Sequence, residues 1–360
     1  MQKDKPPIQV FQGFITQVPD QTKVHFSRLN SGNINTTWLV AAGVDPLYPQ
    51  GPDFVLQQIN SHVFVEPRNI ARQIRAVSNF LNDKLPGFVP LCVPALSGKP
   101  WVEDDRGAVW KMSRYVHRTK TINYISSANQ AENIARAYGQ FQYVLRNFSL
   151  PVCESPVKDF HKLAPHLEAF QYLALTSHRA LAAQKLIGAI SQLIHNWVPS
   201  INAELMQGDK NAVIHGDCKV NNVLLSLEGE HVCAIVDLDT VMLGERGWDF
   251  GDLVRSGANA SGEDADNAGY SIDFFKAIAK GFAGALQDVL SSRDKEQLVF
   301  SCQYMSFMLA VRFLVDYLNG DKYFVVQDDE QNLRRANAQF RLFEQIRAQE
   351  PEMSGFMRAL

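Results

Sequence analysis

Apolar positions recur along this chain with two periods. In the first 112 residues they alternate in short runs, Val24 to Leu29, Thr37 to Ala42 and Phe54 to Ile59, bounded by Asn, Ser, Gly and Pro, which is the pattern of half-buried strands. Between Asn69 and Leu81 the period lengthens, and Ile70, Ile74, Val77 and Leu81 share one face of a predicted helix. Val109 to Val116 reads as a last strand running into a connector. Helical spacing then takes over with Ile134, Tyr138, Phe141, Leu145 and Phe148. A loop with three prolines spans Ser149 to Pro165, and residues 166 to 207 supply further helices. Strand patterning returns briefly at Val213-Ile214, Val223-Leu224-Leu225 and Val232 to Val236, the last two runs joined by the turn Glu228-Gly229-Glu230. The remainder is helical, with a strongly apolar helix over Leu298 to Leu318 and an amphipathic one over 328 to 349 carrying Leu333, Phe340, Phe343 and Ile346. The pattern predicts an α+β protein of two lobes: a small β-rich lobe over residues 1–114 and a larger, mainly helical lobe over 115–360.

The polar residues around the predicted hairpin carry the chemistry. Before its first strand stands His215-Gly216-Asp217-x-x-x-x-Asn222, and Asp237 ends the second. Kinase catalytic loops place an Asp that receives the acceptor hydroxyl proton five residues before an Asn that holds magnesium, and a further Asp on the following strand binds the magnesium of the nucleotide phosphates. Asp-x-x-x-x-Asn also arises by chance, so the order of loop, strand, turn, strand and acid carries the signal rather than the spacing alone. Asp217 is the expected base, Asn222 and Asp237 the expected magnesium ligands, and Asp239 either a second ligand or a substrate contact. Asp249-Phe250-Gly251 matches the kinase metal-binding tripeptide letter for letter, yet it lies too far past Asn222 and opens a helical segment. Asp249 is expected to cap that helix or brace the catalytic loop.

In the small lobe, Gly32, Asn35 and Thr36 lie in a turn between strands; taken alone, a turn with one glycine reads as an ordinary hairpin turn, and its place before a kinase-like loop makes the three candidate phosphate or substrate contacts. Protein kinases carry a phosphate-binding Lys on the third strand, paired with a Glu on the next helix. Here Val55 is placed to roof the adenine, Gln57 takes the lysine's position, and Asn69 to Leu81 holds no acid. The cations left to compensate are Lys219, next but one to Asp217, and Arg72 or Arg75. Arg114, Tyr115 and Val116 are expected to meet the adenine edge through their backbone. On the apolar helix, Arg312 and Asp316 stand four residues apart and suit either a helix ion pair or a ligand contact.

Bulk properties narrow the classes. A chain of 360 residues with 46% hydrophobic and 20% charged content is an ordinary globular protein, and a formal net charge of −3 argues against electrostatic nucleic-acid binding. The five cysteines show no metal-ligand spacing and fit a reducing compartment. The N-terminus has no apolar signal region, and Gln297 to Val311 is too short and too polar to span a bilayer. The expectation is a cytoplasmic protein without nucleic-acid or membrane partners.

With these residues quoted, the chain resembles the aminoglycoside phosphotransferase and choline kinase family, of protein-kinase-like fold. Within it, Leu56-Gln57-Gln58, Gly32 to Thr37, Ile235 to Thr240 and Arg312 to Phe324 are similar to the N-acetylhexosamine 1-kinases. Gly216 departs from the Asn carried at that place in the group. The resemblance implies ATP, magnesium and transfer to the anomeric hydroxyl of N-acetylglucosamine or N-acetylgalactosamine, with Asp239, Arg312, Asp316 and Tyr317 on the sugar. Kinases of choline, homoserine or an aminoglycoside are the alternatives, and a nucleotide-binding pseudokinase is the non-enzymatic one.

Overall fold

The alternating runs of the first third pair into one antiparallel sheet. The computed structural model describes residues 7–15, 24–29, 34–48, 51–151, 155–198, 212–259 and 269–360. It divides into two units: residues 1–119 with 148–157 and 233–242, and residues 120–147, 158–232 and 243–360. The first unit thus extends five residues past the expected lobe boundary at 114 and takes two short segments from later in the chain.

In the first unit, α1 (Ile8–Gln12) precedes β1 (His25–Leu29), β2 (Thr36–Ala41) and β3 (Phe54–Gln58). Then follow α2 (Pro67–Lys84), β4 (Cys92–Val93), β5 (Val102–Glu103) and β6 (Val109–Arg114). The sheet order is β1-β2-β3-β6-β4, with β5 also on β6. Register assigns its faces, because residues directly opposed across an antiparallel pair project on the same side. Leu39 faces Val55, which faces Ser113; Thr37 faces Gln57, which faces Lys111. Five of these six side chains are half-buried, and Thr37 is buried. On the other side Trp38, Val40, Phe54, Leu56, Trp110 and Met112 sink into a core closed by Val10, Phe11 and Phe14. α1 had no counterpart in the sequence pattern: it is too short to show a period. α2 runs past the predicted Asn69–Leu81 at both ends, and it does hold one acid, Asp83, exposed and paired with its neighbour Lys84. Residues 233–242 are stitched to this unit by Ile235 N–H on the Phe88 carbonyl at 2.9 Å and by the Gln73 amide on the Val241 carbonyl.

The rest of the chain supplies β7 (Thr119–Lys120), α3 (Ala128–Leu145), α4 (Leu163–Thr176), α5 (Gln184–Asn196), β8 (Ala212–Ile214), β9 (Val223–Ser226), β10 (Val232–Ile235), β11 (Met242–Gly244), α6 (Arg246–Gly257), α7 (Ile272–Ala285), α8 (Ser292–Leu318) and α9 (Gln331–Ala359). The core of the second unit forms around α8. A capping box at Ser291 and Asp294 starts that helix, and Tyr304, Phe307, Met308, Val311 and Leu314 pack with residues of α4, α5 and α9. A helix apolar on every side is a buried helix. α8 is long and apolar enough to cross a membrane by composition, but 78% of its most apolar stretch is buried inside the protein. α9 continues through Pro351 to Ala359, ten residues beyond the predicted end.

Candidate active site

The turn between β8 and β9 is folded by a glycine and an aspartate. Gly216 adopts φ 81°, a backbone region open to Gly and tolerated by Asn, which accounts for both residue types at this position in the resemblance. The bend lets two successive amides converge: His215 N–H donates to Asp249 Oδ2 and Gly216 N–H to Asp249 Oδ1, each at 2.8 Å. Gln142 Nε2 donates to the same Oδ2 at 2.8 Å. Asp249 lies inside the first turns of α6 and braces the loop rather than capping the helix. Three residues on, buried Asp252 pairs with buried Arg255 at 2.7 Å; burial pushes its carboxyl up, against the pull of Arg255.

Asp217 emerges from this support partly exposed. Its Oδ2 accepts Asn222 Nδ2 at 2.8 Å and lies 3.0 Å from Lys219 Nζ. Burial raises the Asp217 pKa, but the Lys219 charge and hydrogen bond, with help from His215 and Asn222, outweigh it and leave the carboxyl below its ordinary value. It is therefore an anion at neutral pH. Tyr138 Oη donates to the Lys219 carbonyl at 2.8 Å, holding the segment that carries the lysine. Val220–Asn222 form one 3-10 turn, which brings the Asn222 amide back onto Asp217. Because Nδ2 is committed to Asp217, the Asn222 oxygen is the atom left to face a cation.

His161 carries no sequence signal and proves central to this support. Its Nε2 lies 2.7 Å from the Gly216 carbonyl; a carbonyl only accepts, so Nε2 carries the proton. Tyr304 Oη on α8 donates to the His161 carbonyl at 2.6 Å, so the buried helix grips the His-Gly-Asp loop through this histidine. Burial pushes the His161 pKa down to about 3.

The substrate candidates on α8 separate. Among the described ion pairs Arg312 does not meet Asp316. Asp316 is buried and accepts the N–H groups of Lys322, Tyr323 and Phe324 at 2.8–2.9 Å and the Asn332 amide at 3.0 Å, closing the loop after the helix. Tyr317 is buried beneath the Arg179 guanidinium, 5.0 Å from its ring centre. Arg312 is half-buried, its guanidinium 4.9, 5.5 and 5.7 Å from the rings of Phe160, Tyr323 and Phe324.

Within the first unit, Asp237 is exposed and left-handed, φ 62°, a conformation Asp tolerates better than most residues. Asp239, two residues on, is 1% exposed: it pairs with Lys111 and accepts Asn35 Nδ2 at 2.6 Å. Asn35 Oδ1 in turn accepts Asn60 N–H at 3.0 Å, so that side chain is engaged within the unit. Thr36 opens β2 opposite Gln58, and Val55 and Gln57 lie on the half-buried face. The N–H groups of Arg114 and Tyr115 are taken by the Leu91 and Asp53 carbonyls at 2.9 Å, so neither amide is open to an adenine edge. Arg72, exposed, bonds Asn69, and Arg75, half-buried, bonds the Gly98 carbonyl. Gly32 lies outside the described residues. Magnesium takes oxygen ligands and commonly shares them with substrate phosphates. The Asn222 oxygen and the Asp237 carboxylate are of that type, and among the described residues no three His, Cys, Asp or Glu gather into a metal cage of their own.

A sheet-based unit, a helical unit and a braced His-Gly-Asp loop with its Asn define a small-molecule phosphotransferase of kinase-like, mixed α+β fold. Residues 25–281 match the model of the phosphotransferase enzyme family APH, and the chain belongs to that family. Three solved structures share the fold. An aminoglycoside phosphotransferase from Alicyclobacillus acidocaldarius is 12% identical, with a TM-score of 0.64 over 98% of each chain. The microcompartment-associated aminopropanol kinase is 14% identical, with a TM-score of 0.65 over 96% of this chain and 98% of that one. A choline kinase from Cryptosporidium parvum Iowa II is 10% identical, with a TM-score of 0.58 over 95% of each.

Proposed function

We propose that the protein is an ATP- and magnesium-dependent kinase of the anomeric hydroxyl of N-acetylglucosamine or N-acetylgalactosamine, working in the cytoplasm. The observation that carries phosphoryl transfer is the Asp217 carboxylate held as an anion between Lys219 and Asn222 on a loop braced by Asp249. In a loose transition state the acceptor proton leaves late, so an Asp of low basicity serves by orienting the hydroxyl and taking its proton as the bond to phosphorus forms. An anomeric hydroxyl is more acidic than an ordinary alcohol, which suits such a base. Lys219 neutralises charge on the transferring group. The proposed magnesium ligands are Asn222 and Asp237; the ion would offset the charge of the nucleotide's phosphate oxygens.

Arg312 supports a neutral sugar over a quaternary ammonium substrate. Phe160, Tyr323 and Phe324 are the kind of rings that cage such a cation, and here the protein's own guanidinium sits among them. Burial, then the Arg312 charge, lowers the nearby His166 to about 4, leaving that side chain neutral. Arg312 then offers its donors to sugar hydroxyls or the acetamide carbonyl. Asp316 and Tyr317 serve the same recognition by holding the loop and helix end around it.

Incubation with N-acetylglucosamine, ATP and magnesium is expected to give a sugar 1-phosphate without a reducing end, read by phosphorus NMR and a reducing-sugar assay. Asp217→Asn should lower turnover by about 10²–10⁴-fold with sugar binding kept. Arg312→Ala should raise the sugar KM about tenfold, the loss of a charge-assisted bond, and leave the ATP KM unchanged. A product that retains its reducing end, or preferential phosphorylation of choline, homoserine or an aminoglycoside, refutes the assignment.

A further inference from the structure

The third strand of this sheet carries Gln57 where a protein kinase carries its phosphate-binding lysine. Register places a lysine one strand away: Lys111 on β6 stands directly opposite Gln57 on β3. Both side chains therefore leave the sheet from the half-buried face that also presents Val55 and Ser113. Gln57 Nε2 is turned onto Thr37 Oγ1 at 3.2 Å, along the same row. Lys111 Nζ is paired with Asp239, their side chains 13% and 1% exposed. The other Asp239 oxygen is taken by Asn35 Nδ2, and Asn35 is itself tied to the backbone of Asn60.

Sheet stability does not account for this pair. Desolvating a lysine and a carboxylate costs about as much as their attraction returns, and apolar residues of the same size hold a core as well or better. The asymmetry in exposure has a functional sense. Asp239 has both oxygens engaged and no open surface for a metal ion or a sugar. Lys111 keeps part of its side chain exposed, and an ammonium with three donors can serve a carboxylate and a phosphate together. The composition matches the kinase lysine–glutamate pair with each partner relocated, the cation from the third strand to its neighbour and the anion from the helix to the turn after Asp237.

We infer that Lys111 is the residue that binds the nucleotide's phosphates, and that Asp239, fixed by Asn35, positions it. This rests on the phosphotransferase reading above and removes the need for Arg72 or Arg75 as the substitute cation. Asp239 is then neither a second magnesium ligand nor a sugar contact.

Calorimetric binding of ADP and of adenosine, each with magnesium, tests it on the full chain. Lys111→Met should weaken ADP about tenfold or more, the loss of one charge-assisted bond, while adenosine binds as before. Asp239→Asn should lower turnover and ADP affinity while leaving the sugar KM and the magnesium midpoint of the reaction unchanged; a shifted midpoint would make Asp239 a metal ligand and overturn its positioning role. Should Lys111→Met fail to fold, the wild type still decides the matter. An acyl-phosphate analogue of ATP transfers its acyl group to the amine beside the phosphates and releases the nucleotide. Peptide mapping is expected to find that label on Lys111, and a label confined to Lys219 overturns the inference. Wild type that binds no ADP removes the phosphotransferase reading together with this one. Wild type that binds ADP while Lys111→Met binds it equally well overturns this one alone.

Discussion

Asp217 is presented by neighbours whose protonation states matter as much as its own. The hydrogen bond from His161 to the Gly216 carbonyl needs only a neutral imidazole, and burial keeps it neutral by lowering its pKa from the ordinary 6.5 to about 3. A histidine whose folded pKa is depressed leaves the unfolded chain holding more protons between those two values. Its contribution to stability is therefore complete above about pH 6.5 and is lost as pH falls toward 3. The slope in that window is roughly 1.4 kcal/mol per pH unit for one such group. His161→Asn keeps a donor but cannot titrate there. Urea unfolding at about pH 4.5 and about pH 7 should show a smaller loss of stability on acidification in the variant than in the wild type; equal losses would mean that His161 does not set the acid limit.

At the level of elements, two helices approach each other through glycine. On α6, Asp249 braces the His-Gly-Asp loop, while Gly251 presses against α8, where an added Cβ would lie 2.3 Å from the Ser301 carbonyl oxygen. Gly247, one turn earlier, would meet Ser301 Oγ at 2.0 Å. A helical glycine ordinarily weakens a helix, so alanine stabilises it by about 1 kcal/mol where there is room. At Gly251 the sign should reverse: Gly251→Ala is expected to lose about 1–3 kcal/mol from overpacking against backbone that cannot yield. Gly188, exposed on α5 with nothing within 4 Å of its would-be Cβ, is the internal control. Gly188→Ala should gain about 0.5–1 kcal/mol. Thermal or urea melts of the two variants moving in the same direction would show that the α6–α8 contact has room for a methyl group. The literal Asp-Phe-Gly on α6 is thus explained by packing and by the brace, since the same tripeptide that supplies the loop's acceptor supplies the gap for α8.

At the scale of the molecule, ligand binding and stability are linked: a ligand that binds only the folded chain stabilises it by about 2.7 kcal/mol at one hundred times its Kd. Magnesium-ADP is expected to raise the melting temperature with the logarithm of its concentration above its Kd, and adenosine to do so less at equal concentration; no shift with either would argue against a nucleotide site. The pattern of apolar positions sufficed for the α+β class, the four longer strands of the first unit, the hairpin strands and the long buried helix, because strand and helix periods are local properties of the chain; β4 and β5, two residues each, are too short to show a period. The contact between Asp217 and Asn222 was legible for the same reason: they are five residues apart and meet through one 3-10 turn. The short helix α1 and the ends of α2 and α9 were not, since element ends depend on what they pack against. Nor was the His161 bond to Gly216, made across 55 residues, or the Lys111 pair with Asp239, made across 128. Lys111 reads as one more polar residue on a strand until β3 and β6 are in register, and Asp316 reads as a partner for Arg312 until the loop after α8 folds back to claim it. Sequence alone determined which residues lie near one another along a strand, a turn or a helix face; tertiary structure decided which charges were buried together, because that depends on register and packing between segments that spacing along the chain does not encode.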